Sequence, residues 1–317
     1  MKTNFLGLCL LFVFSFGCNQ NTSQTIVNSP SDANRAVGNS PYKATPEPEN
    51  RAPAKTYAQM NDDEKSKFIA EQSDKILETF GRADGDKLNV IGLKMIKEYV
   101  DSYGKRTTSA KTDKCSFNND LTTVLTRGSK VSKSLSGEFR SADVPVYLGI
   151  YLPMIETEYC ECVSSPTGAL GMFQLTAALS SEYGLKSTKG ATSANPDDRC
   201  NPQLAAQAAA KYIKDLMKRT FPSKMNAISY PLALATYNSS EHWIKKHISD
   251  VASFTKNENV SFWTLLETEN NMPKNADYLQ QFQSENKKYV PKFFAAAIIG
   301  ENPRVFGVDM EPLSKIQ

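Results

Sequence analysis

Between Ile155 and Gln174 the chain reads IETEYCECVSSPTGALGMFQ, which puts three carboxylates and two cysteines ahead of a Ser-Pro-Thr-Gly turn. Carboxylates this close cannot all serve one purpose. At roughly 100° per residue, Glu158 points about 200° round a helix from Glu156. Glu161 lies beyond Cys160, where the helix is expected to end. Only one of the three can look into a given cleft. Leu152, Met154 and Ile155 precede Glu156, so its carboxyl stands at the edge of an apolar wall. Such surroundings disfavour the charged form and raise the pKa, as a general acid working near neutrality requires. Proton transfer by Glu156 is the expected chemistry, against the plainer reading of a solvated glutamate at a helix end.

The elements that must position this acid read as helices nearly throughout. Asn61 caps the segment NDDEKSKFIAEQSDKILETFG, Glu64 completes a capping box, and Gly81 stops it. Leu88, Ile91, Met95, Ile96 and Val100 mark a second helix, and NNDLTTVLTRGSKVSKSL is a third. DVPVYLGIYLPMIETEY carries Glu156, with Pro153 deep enough to kink it. NPQLAAQAAAKYIKDLMKR is rich in alanine, with Leu204, Ala208, Tyr212 and Leu216 on one side. Further helices are expected around PLALATYN, EHWIKKHISDVA and YVPKFFAAAIIG. Period-two alternation is scarce, so the expected class is all-α, with at most a small β-hairpin near SSPTGALG.

The N-terminal MKTNFLGLCLLFVFSFGC has the layout of a secretory signal, with an apolar core too short to be read as a membrane span. Gly17 directly before Cys18 resembles the lipobox of bacterial lipoproteins, which implies a signal at 1–17 and a lipidated Cys18 holding the chain to a membrane. A plain signal peptide is the alternative. Residues 18–58, rich in Asn, Ser, Pro and Ala, cannot bury enough surface to offset their ordering entropy and read as a flexible tether. The formal charge is +3, too weak to point to nucleic acid. Past Cys18 four cysteines remain, and an even number in an exported chain favours two disulfides. Cys160 and Cys162 are too close to bridge one another, so each pairs with Cys115 or Cys200, in either arrangement. Zinc is disfavoured because Cys160-x-Cys162 lacks the two-residue gap and His242 and His247 lie five apart. No metal or cofactor is expected.

PMIETEY followed by SSPTGALGMFQ resembles the core motif of the soluble-lytic-transglycosylase family, whose fold is shared with goose-type lysozyme. Glu156, Ser165, Pro166, Gly168, Ala169, Gly171 and Gln174 carry the match, with Gln174 eighteen residues after the acid. DDRCNPQLAAQAAAKYIKDL, LALATYNSSEHWIKK and SENKKYVPKFFAAAIIGENP resemble the family's later blocks, in order. LTRGSKVSKSL before VPVYLGIYLPMIE resembles its membrane-bound branch. Thr157 and Ser240 depart from the family's usual serine and glycine.

The resemblance implies a lysozyme-like helical catalytic domain over 138–317, preceded by a helical extension over 59–137. It also implies non-hydrolytic cleavage of the β-1,4 bond between N-acetylmuramic acid and N-acetylglucosamine in peptidoglycan. Most glycosidases use two carboxylates. Here Glu156 alone would protonate the glycosidic oxygen, then take the proton of the muramic 6-hydroxyl as it attacks C1, giving a 1,6-anhydro product. Ser165, Gln174, Tyr237, Asn238 and Tyr289 are the expected substrate contacts, while Gly168 and Gly171 let a sugar approach the backbone. The expected setting is an exported lipoprotein facing the periplasm from the outer membrane, with glycan strands as partner. Two other functions are weighed: a goose-lysozyme-like hydrolase, with Asp198 or Asp197 holding the water, and an inactive glycan-binding envelope lipoprotein.

Overall fold

Asn61 opens the first helix as expected. Its side chain accepts from the Glu64 amide at 2.9 Å, and the Glu64 carboxylate accepts from the Asn61 amide at 2.9 Å. In this computed structural model residues 55–81, 87–106, 115, 118–219, 229–272, 279–280 and 282–316 are described. The leader 1–17, Cys18 and the tether as far as residue 54 lie outside the described residues. Among those described, the helices are α1 (Asp62–Thr79), α2 (Val90–Gly104), α3 (Leu121–Ser141), α4 (Val146–Thr157), α5 (Ala177–Glu182), α6 (Pro202–Arg219), α7 (Tyr230–Asn238), α8 (Glu241–Thr255), α9 (Phe262–Thr268) and α10 (Lys287–Glu301). A π-helical turn, Phe282–Asn286, leads into α10. No strand occurs among the described residues; the expected hairpin is reduced to single bridges, Ser164 with Leu170 and Leu170 with Leu175.

The chain is all-α, and α4 lies at its centre. Tyr151, Leu152, Pro153 and Met154 are all buried, and the helix runs through Pro153 to Thr157. It packs between α3 and α10. A methyl group at Gly149 would run into the Phe139 ring of α3, so the close approach of these helices needs a glycine there. Helix α10 is buried along most of its length, from Tyr289 to Gly300.

Three expectations change with these contacts. On α2, Ile91 is 40% exposed, and the buried stripe runs instead through Gly92, Ile96, Val100 and Tyr103, with Gly92 flat against Trp263. On α6 the buried stripe is wider than expected, from Ala205 through Ile213 to Leu216, while Leu204 and Tyr212 sit at its margin. The division at 137/138 falls inside α3, which packs on both α4 and α6, and residues 51–317 form one unit. Order also begins before residue 59: Tyr57 is buried and its hydroxyl donates to Asp101 at 2.7 Å.

Candidate active site

Helix α4 is apolar on every side until its last turn, where Glu156 emerges partly exposed. The Glu156 carboxylate accepts a 2.5 Å hydrogen bond from the Tyr289 hydroxyl on α10. Burial pushes the Glu156 pKa up to about 7, while the Tyr289 bond and the Lys292 ammonium pull the other way. Burial and the charge of Glu156 in turn hold the Tyr237 and Tyr289 phenols well above their usual range. The fold therefore gathers Glu156, Tyr237 and Tyr289 from α4, α7 and α10. Asn238, next to Tyr237, accepts from the buried Asn286 amide at 2.7 Å, at the junction of the π-turn with α10.

The other two glutamates lie apart from Glu156, though Glu158 does so because α4 stops at Thr157 and not by its position around a continuing helix. Glu158 ends α4 in a left-handed conformation (φ 50°) and is buried. Its carboxylate pairs with Arg106 and accepts from the Asn118 and Asn119 amides at 3.2 Å each. Glu161 is exposed. On either side of it the disulfides are Cys115–Cys160 and Cys162–Cys200, one of the two arrangements the spacing left open. All four thiols are thereby withdrawn from metal binding.

The turn beside the acid is closed largely by its own polar groups. Ser165 Oγ accepts from the Ala169 amide at 2.9 Å. The Gln174 side-chain amide donates to the carbonyls of Val163 (2.9 Å) and Gly171 (2.8 Å), with Gln174 itself at φ 50°. Thr157 donates to the Met172 carbonyl at 3.2 Å and Tyr237 to the Phe173 carbonyl at 2.7 Å, which ties the turn to α4 and α7. Gly168 (φ 88°) would carry a side chain into open space. Gly171 (φ 84°) would drive one into the Arg199 carbonyl, so backbone packing requires a glycine here.

Sequence reasoning passed over Arg199. It is 1% exposed, pairs with Asp197, and donates to the carbonyls of Gly168, Leu175 and Thr188 at 3.1–3.2 Å. Its only sequence signal is an arginine between Asp198 and Cys200, which does not reveal its targets. Asp197 accepts from Arg199 and from the Thr188 amide, and these bonds hold its carboxyl below the usual range despite burial. Asp198 accepts from the Lys186 amide at 2.8 Å. Arg106 and Asn286 were missed for the same reason: their partners are distant in the chain.

Residues 140–260 match the family described as the transglycosylase SLT domain. Over 174 residues the chain is 26% identical to the membrane-bound lytic murein transglycosylase D of Escherichia coli (strain K12), covering 55% of this chain and 32% of that protein. The figures are the same for the protein of that name in Escherichia coli O6:H1 strain CFT073. A stretch of 86 residues is 38% identical to the peptidoglycan transglycosylase gp16 of Escherichia phage T7, covering 27% of this chain and 6% of that protein. The match spans about a third of the length of the Escherichia coli relatives.

Proposed function

We propose that the protein is a lytic transglycosylase of peptidoglycan, a reading supported by the match of residues 140–260 to the transglycosylase SLT domain. The observation that carries this reading is Glu156: a carboxyl with a pKa of about 7, bonded to Tyr289 at the end of an apolar helix. Protonated Glu156 donates to the glycosidic oxygen as the bond from that oxygen to muramic C1 breaks. The N-acetyl group of the same sugar assists at C1. The Glu156 carboxylate then accepts the proton of the 6-hydroxyl as O6 bonds to C1, which restores the acid and consumes no water. Tyr289 donates to the carboxylate between the two transfers and so stabilises the charge that appears there. Asn238, oriented by Asn286, and Ser165 serve as sugar contacts. Gln174 contributes its side-chain oxygen, since its amide hydrogens are engaged in the turn.

Hydrolysis of the same bond needs a second acid to hold water. Asp197 and Asp198 are both engaged by neighbouring donors, which favours the non-hydrolytic course. We assign the leader to export and Cys18 to lipidation at the outer membrane, consistent with the membrane-bound relatives. Mass spectrometry of digested sacculi tests the reaction. Anhydro-muropeptides one water lighter than the hydrolysis products are expected from the wild type. Glu156→Gln should lower their release by about 10²–10⁴-fold. Reducing-end products would overturn the proposal.

A further inference from the structure

One buried guanidinium holds both walls of a groove beside the active turn. Arg199 Nη1 donates to Gly168 O at 3.2 Å on one side, and Nη2 donates to Thr188 O at 3.1 Å on the other. Nη1 also reaches Leu175 O at 3.1 Å, and Asp197 fixes the second wall by accepting the Thr188 amide at 2.8 Å. The two walls cannot drift apart without breaking buried charge-assisted hydrogen bonds. Between them lies an open cavity of about 770 Å³, lined by Thr167, Gly168, Thr176, Ala178, Ser187 and Lys189 among others. Its walls are made of small side chains, several with hydroxyls, and Lys189 is the one charged residue lining it. Lys189 is exposed and makes no ion pair among the described residues.

We propose that this groove takes the peptide stem carried by muramic acid, with the Lys189 ammonium binding a free carboxylate of that stem. The inference rests on the peptidoglycan reading of Glu156 and narrows its substrate to stem-bearing strands. The sugars of peptidoglycan are uncharged, so its anionic groups are the stem carboxylates. A slot with small walls and hydroxyl groups suits an extended peptide with alanine-sized side chains. Pro166, Thr167 and Gly168 belong both to this wall and to the turn begun by Ser165. A muramyl unit held at Ser165 would therefore present its stem here.

Binding can be measured without turnover in a Glu156→Gln background. Soluble glycan strands with free stem carboxylates are compared with the same strands after those carboxylates have been converted to neutral amides. Strands with free stem carboxylates should bind about 3- to 10-fold more tightly at low salt, as expected for one partly screened ion pair. Adding Lys189→Glu should abolish that preference, Lys189→Arg should retain it, and high salt should shrink it. Equal affinity for the two substrates, or equal weakening of both by Lys189→Glu, overturns the groove assignment. Missing anhydro products in a wild-type digest would overturn the reaction instead, because the binding comparison does not depend on it.

Discussion

Glu156 is held between opposing influences, and each can be removed singly. The first proton transfer needs the acid form, so kcat/KM should fall as pH rises through about 7. Tyr289 and Lys292 both favour the carboxylate. Tyr289→Phe and Lys292→Met should therefore each move the alkaline limb to higher pH, as read in a pH–rate profile; a limb that stays put or moves down contradicts the assignment. The raised pKa also bears on stability. The folded state holds this proton up to about pH 7, whereas the unfolded chain releases it near the ordinary carboxyl value of 4.5. Stability from this group is thus complete below 4.5 and lost as pH rises through 7, by about 1–3 kcal/mol after allowance for partial exposure. Glu156→Gln should match the wild type in urea denaturation at pH 4 and exceed it at pH 8. A pH-independent gap would show that the carboxyl is not held this way.

At the level of elements, the active turn is a backbone structure gripped from several sides. Breaking a buried ion pair from one side typically costs about 3–5 kcal/mol, because it strands the partner charge. Arg199→Met should cost about that much and also lower activity, since it frees the Gly168, Leu175 and Thr188 carbonyls together. Denaturation of Arg199→Met beside Asp197→Asn/Arg199→Met checks the cause: the double variant should recover part of the loss. Gly171→Ala combines a left-handed backbone with a collision against the Arg199 carbonyl, and should cost more than the roughly 1–2 kcal/mol of conformational strain alone. The same substitution at Gly168 meets open space and should cost only the strain. Thermal melts of the two alanine variants would rank them.

Across the whole molecule, the segments before and after the acid are fastened to the end of α4. Arg106, just past α2, pairs with Glu158, and Cys115 bonds to Cys160; Cys200, just before α6, bonds to Cys162. Helices α2, α3 and α4 all meet α10 or one another, so the N-terminal helices pack with the helices that carry Glu156 and Tyr289. Losing a disulfide from an exported domain commonly costs about 2–5 kcal/mol. Cys115→Ser/Cys160→Ser should lose stability in that range, and reductant should lower the melting temperature of the wild type further than that of the variant. Equal sensitivity to reductant in both would mean that this crosslink carries little of the stability.

Helical periodicity, capping residues and the run of apolar side chains before Glu156 are local, and they made the all-α class, the helix order and the candidate acid readable along the chain. Helix geometry separated Glu156 from Glu158 on paper, whereas in the fold the left-handed end of α4 at Glu158 does so, and the cysteine spacing narrowed the pairings to two. Choosing between those pairings, exposing Ile91 while burying Gly92 against Trp263, and merging the 59–137 segment with the rest required contacts between residues far apart in sequence. The same holds for Arg199, whose backbone targets lie 11 to 31 residues away, and for Tyr289, which reaches Glu156 across 133 residues. A residue's type and spacing determine what chemistry it is able to perform. Which distant group buries it, bonds it or neutralises it depends on how the helices pack, and that fixed the pKa of the acid.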